Sequence, residues 1–141
     1  MTEIDLQKSF IDRFDTLNTF SGKTFIKNNN VHYPNKAFNS QGMKSWFNLS
    51  FLTNPPIMAS LGADAQNRYT GIFQIDIYTP LDVGEAESNN KYKWLSKLFP
   101  RDLYFDNISI TRTYRAIVQE ENDRMKTVVR VEFTADIDKE I

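Results

Sequence analysis

The chain has 141 residues, of which 40% are hydrophobic and 25% charged, with 17 Lys and Arg against 18 Asp and Glu and no cysteine. That length suits one domain over 1–141 with a substantial core, and the lack of cysteine excludes disulfides, thiolate metal sites and cysteine nucleophiles. A near-neutral balance argues against nucleic acid or an anionic membrane as the main partner, because counterion-release binding needs a concentrated positive surface, and no apolar run is long enough to span a bilayer.

The first residues lack the basic start and apolar block of a secretory signal, so a soluble protein made inside a cell is expected. Thr2 precedes Asp5 at capping spacing, and Leu6, Phe10, Phe14 and Leu17 recur at helical intervals. This predicts an amphipathic helix ending near Thr19, with Gly22 free to turn the chain. From Phe25 to Asn39 the pattern weakens. Phe25 and Ile26 could begin a short strand, Asn28 to Asn30 favour a turn, and Val31 to Tyr33 could resume extended structure.

Phe47, Leu49 and Phe51 alternate with Asn48 and Ser50, which predicts a strand over Trp46–Leu52. Asn54, Pro55 and Pro56 end it. Residues 54–67 then lack a period, and a loop of this length is uncommon unless it is mobile or functional. Its apolar side chains, Ile57, Met58 and Leu61, either fold back on the core or belong to an interaction loop that orders on a partner.

Between Arg68 and Pro100 the chain reads as a complete strand, turn and helix. Tyr69, Gly71, Phe73, Ile75 and Ile77 fall on a core side, and Thr70, Gln74, Asp76 and Tyr78 on a wetter one. Pro80 ends the ladder, and Asp82 stands three residues before Glu85 as a helix-capping pair. A helix from about Val83 carries Trp94, Leu95, Leu98 and Phe99 as a core stripe and stops at Pro100.

A long strand is expected over Ile108–Val118, with Ile108, Ile110, Tyr114, Ala116 and Val118 on one side together with Arg112, which is either uncovered or paired there. Glu120, Glu121, Asn122, Asp123 and Arg124 form a polar hairpin tip, and Lys126–Asp136 returns with Val129, Val131, Phe133 and Ala135 on one face. The expected fold class is therefore α+β: a two-layer, mainly antiparallel four-stranded sheet with two helices on one face, in the order α-β-β-α-β-β.

No catalytic arrangement emerges from these residues. His32 is the only histidine and has no motif around it, no carboxylate pair falls on an apolar surface, and the five glycines build no phosphate-cradling loop. Neither an enzyme nor a cofactor or metal site is expected, which leaves binding or assembly.

The run RYTGIFQIDIYTPLDVGEAESNNKYKWLSKLFPR resembles the signature segment of the bacteriophage tail-terminator-like family, the minor tail proteins that cap the siphophage tail tube. The matching features are Arg68 followed by Gly71, the Phe73-Gln74-Ile75 strand, Pro80, a turn at Gly84, and a helix closing in Phe99 and Pro100. Upstream, Tyr33-Pro34-Asn35, Phe38 and the strand at Trp46 fit the family's lead-in. Downstream, the strand pair around Tyr114 and Arg130–Phe133 fits its end. The resemblance implies a phage virion component assembled in the bacterial cytoplasm. It would form a ring, commonly a hexamer, on the head-proximal end of the tail tube, stop tube growth, and dock a head-completion protein. Partners would thus be further copies of the chain, the tube protein and the head-completion protein.

Loop character makes Pro55, Pro56, Ile57, Met58 and Leu61, together with Glu120, Glu121, Asp123 and Arg124, the candidate protein-interaction residues, with Arg68 and Arg101 as ion-pair donors. Rival readings are another neck, head-completion or tube component, and, from a different class, a small ligand-binding or enzymatic α+β domain.

Overall fold

The computed structural model describes residues 3–27, 29–58, 66–82, 84–121 and 123–138. Helix α1 (Glu3–Phe14) and the single turn α2 (Leu17–Ser21) are followed by strands β1 (Val31–His32), β2 (Trp46–Thr53), β3 (Ile57–Met58) and β4 (Gln66–Pro80). Helix α3 (Ala86–Leu98) leads into β5 (Tyr104–Phe105), β6 (Ile108–Glu121) and β7 (Arg124–Asp138).

The expected four-stranded, mainly antiparallel two-layer sheet is not what forms. Six strands run in the order β1-β2-β4-β7-β6-β5 in one curled mixed sheet, and β3 pairs with β4 beyond the end of β2. Three of the added strands have two residues each, too few to leave a period of two in the sequence. One of them, β1, pairs parallel to β2 through Val31 opposite Phe47, and the excursion from Tyr33 to Ser45 supplies the long crossover that a parallel pair needs. The curl follows from length. Strands β4, β6 and β7 have 15, 14 and 15 residues, and twist accumulates along each.

Helices α1 and α3 both pack on the inner face. Leu6, Phe10, Phe14 and Leu17 are fully buried, as their helical spacing requires. The Phe10 ring lies 4.8–6.0 Å from the rings of Phe133, Phe73, Phe105, Phe51 and Phe99, so one side chain joins three long or central strands to the segment after α3. The inner face of β4 is Tyr69, Phe73, Ile75 and Ile77, and that of β7 is Val129, Val131, Phe133 and Ala135, all buried. Gly22 takes the left-handed conformation at the end of α2. The expected Asp82 cap is absent: Glu85 is the N-cap residue of α3 and makes no side-chain cap bond, while Asp82 sits at φ 60° in the preceding turn.

Strand β6 departs most from its sequence pattern. Register shifts between Ile110 and Arg112 and between Arg115 and Ile117 move successive residues across the sheet, so Ile108 and Ile110 face the core while Arg112 and Tyr114 face outward opposite Glu132 and Arg130. Arg112 hydrogen-bonds Glu132 through Nε and, at 3.1 Å, through a terminal nitrogen. The outer face also holds a carboxylate only 2% exposed. Asp76 accepts from Asn48 (3.2 Å) and Gln74 (3.0 Å) and lies 3.8 Å from Lys126, yet burial pushes its pKa up.

A Cβ on Gly71 would stand 2.2 Å from the Leu52 carbonyl oxygen in the neighbouring strand, a backbone atom that cannot move aside without breaking the ladder. Gly71→Ala is expected to destabilise the chain by about 1–3 kcal/mol in denaturant unfolding. An unchanged midpoint would show that β2 and β4 separate freely at this point.

Candidate functional site

The antiparallel registers place the sequence-predicted interaction residues at two ends of the sheet. Pro80 pairs with Arg124 at one end of the β4–β7 ladder, and Gln66 pairs with Asp138 at the other. From Arg68 to Pro80 is about 40 Å of strand at roughly 3.3 Å per residue. Pro55, Pro56, Ile57, Met58 and Arg68 lie at the first pole. Arg101 is exposed at the same end, in the turn before β5, since Ile108 at the start of β6 pairs with Ala135. Glu120, Glu121, Asp123 and Arg124 lie at the second pole, and Leu61 falls outside the described residues.

The first pole exposes apolar side chains on the face away from the helices. Ile57 pairs with Arg68 and Leu52 with Ile72, so the four share that outer face. Leu52 is 62% and Ile57 61% exposed, a large apolar area to leave in water. Beside them Arg68 makes a two-pronged hydrogen bond to Asp136 at 2.9 and 3.1 Å. Next to Asp136 a polar recess of about 230 Å³ is lined by Tyr104, Asn107, Ser109 and Thr134. The Tyr104 ring is exposed, with its hydroxyl donating to Asn107 at 3.1 Å. Exposed tyrosine and arginine are residue types enriched at protein interfaces, which makes this pole the candidate site.

Leu52 and Tyr104 were not among the residues singled out from the sequence. Leu52 could have been, because it stands on the same parity as Asn48 and Ser50 and is thus an apolar residue on the wet side of its strand. Tyr104 carried no signal, since a two-residue strand has no face to read.

At the second pole two of the four charges, Arg124 and Glu121, are paired within the chain. Arg124 donates to the carbonyls of Met43 (3.0 Å) and Lys44 (3.2 Å) and covers the Trp46 ring at 5.6 Å, and Glu121 pairs with Lys126 at 2.9 Å. Asp123 takes a left-handed φ of 57° at the turn, and Glu120 is exposed. His32 stacks on Phe38, with Nε2 2.9 Å from the Lys36 carbonyl. Among the described residues no three His, Asp or Glu side chains are grouped to hold a metal ion, and no helix is long and apolar enough to cross a membrane.

A family model described as phage tail terminator protein matches residues 6–138, nearly the whole of the chain just described. The chain belongs to the phage tail terminator family. This is a family of structural proteins, and membership makes the chain a structural component of a phage tail, within the virion and in contact with other tail components. A solved protein structure shares the fold with a TM-score of 0.67 at 15% sequence identity, covering 100% of this chain and 99% of the other. At that identity the likeness is one of fold alone. No curated protein matches the sequence.

The hydrogen bond from Arg68 holds the Asp136 carboxyl below the usual carboxylate range, as that from Arg112 holds Glu132. Both folded values are depressed, so both contributions to stability are present above the ordinary carboxylate pKa and are lost as pH falls through the lowered values. In an NMR titration Arg68→Gln is expected to return Asp136 toward its ordinary pKa while Glu132 stays low. An Asp136 titration that does not move would mean the pair is not formed in solution.

Proposed function

We propose that this member of the terminator family acts as a single domain that assembles into a ring, commonly of six copies, on the head-proximal end of the tail tube. There it stops tube polymerisation and presents the surface to which the head-completion protein docks. The observation that carries this reading is the outer-face pole of Leu52, Ile57, the Arg68–Asp136 pair and Tyr104, an exposed patch on a protein of a tail-assembly family. We assign that pole to the contact with the tube or a neighbouring copy, and the Glu120–Arg124 tip to the other axial partner.

The sheet is suited to lateral contacts as well. Its two edges are unlike, since β5 covers only the first two of the 14 residues of β6 and β1 only two of the 8 residues of β2. A contact joining unlike surfaces of successive copies is heterologous, and heterologous contacts close into rings when the rotation permits. Charge of both signs along β6, from Arg112 and Arg115 to Glu120 and Glu121, suits polar contacts between copies. A tube subunit with the same fold would instead polymerise without limit.

Purified protein mixed with tail tubes and viewed by electron microscopy, with mass from light scattering, tests the ring and its place. Rings at one end of each tube support the reading, and protein that ignores tubes or extends them refutes it. Leu52→Ser with Ile57→Ser is expected to weaken capping while unfolding stability changes by no more than about 0.5 kcal/mol per site, as for exposed positions. A collapse in stability would assign the pair to packing.

A further inference from the structure

Beside the second pole a cavity of about 650 Å³ opens between residues 24–27 with Asn30, the 42–45 segment and the first turns of α3. At its wall stands Lys91, 4% exposed, with its ammonium 5.0 Å from the centre of the Phe47 ring. A buried ammonium carries three donors and a charge that must be balanced. Glu87 forms an i,i+4 ion pair with it at 3.8 Å, longer than a direct hydrogen bond, and also accepts from the Ser45 hydroxyl at 2.9 Å. Burial therefore pulls the Lys91 pKa down, Lys27 adds a like-charge push in the same direction, and Glu87 opposes both only in part.

We infer that this cavity binds a carboxylate carried on an apolar stem, with Lys91 as the buried anchor and Lys27 as a second cation at the mouth. Charge favours an anion: Lys27, Lys44 and Lys91 against Glu87 leave the lining net positive. Size and lining select the stem, because half-buried Phe25 and Met43 give apolar wall and the volume exceeds that of a bare carboxylate. Arg124 is a positioning residue for this site, since its bonds to the Met43 and Lys44 carbonyls fix the wall opposite α3. The inference concerns the isolated chain and stands independently of ring formation.

The test is an amide NMR titration of the full chain near neutral pH with hexanoate, using hexanamide as the uncharged control. Saturable shifts are expected at Thr24, Met43, Ser45 and Lys91 with hexanoate alone. Lys91→Met, which keeps the length of the stem, should lower the affinity by at least about tenfold, and Lys27→Gln, at an exposed position, should lower it by less with the native spectrum retained. Should Lys91→Met fail to fold, the Lys27→Gln comparison decides. Equal shifts with hexanamide, no shifts, or undiminished binding by the variants would overturn the proposal. The peptide Ac-Leu-Glu-Phe-amide separates the sources: tighter binding than hexanoate assigns the site to an acidic side chain of a protein partner, weaker binding to a free small carboxylate.

Discussion

The Phe10 ring is the contact on which the rest of the molecule depends. It is wholly buried and touches five other phenylalanine rings, drawn from β2, β4, β7, β5 and the end of α3. Full burial of such a side chain is worth about 1.5–3 kcal/mol, and ring pairs of this geometry add about 0.5–1.5 kcal/mol each. The consequence is geometric as much as energetic. A helix can meet so many strands at once only when the sheet bends around it, and the twist of three long strands together with the two shifts in β6 supplies that bend.

The outer face carries polar pairs beside an apolar set of its own, the stacked Trp46 and Tyr78, buried Val128 and exposed Ile117. Asp76 with Lys126, Arg112 with Glu132 and Arg68 with Asp136 run along it, and the apolar side chains Leu52 and Ile57 interrupt them at one end. The exposed apolar groups on that face are thus confined to a few positions, Leu52 and Ile57 at one end and Ile117 toward the other.

The candidate residues at the two poles differ in their local partners. Ile57 and Arg68 belong to the outer-face patch, whereas Arg124 ties the 43–45 segment to the sheet and Glu121 balances Lys126. Loop residues are legible as turn formers from Asn, Asp, Gly and Pro, but whether a charge at a tip points to a partner or back to a carbonyl depends on which segment the crossover from β1 to β2 brings near it. Lys91 shows the same limit from the other side. On a helix it reads as a solvent residue, and only its position over Phe47 makes it a buried one.

By itself the sequence determined the period of α1 and the stripe of α3, the alternation of β2, β4 and β7, the polar tip between β6 and β7, and the resemblance to the terminator family carried by residues from Tyr33 to Phe133. Those signals are local, and side chains repeat at 3.6 or two residues wherever one face is buried. Only the tertiary structure decided the mixed, curled sheet in place of four antiparallel strands, the crossing of Arg112 to the outer face, and the left-handed turn at Asp82 where a cap was expected. Each of these comes from contacts between segments far apart in the chain: a two-residue strand held by Phe47 and Asn48, bulges that fit β6 to β7, and a turn shaped by where α3 must lie. Such contacts leave no period to read, because the energy that selects them is shared between residues that are neighbours only after folding.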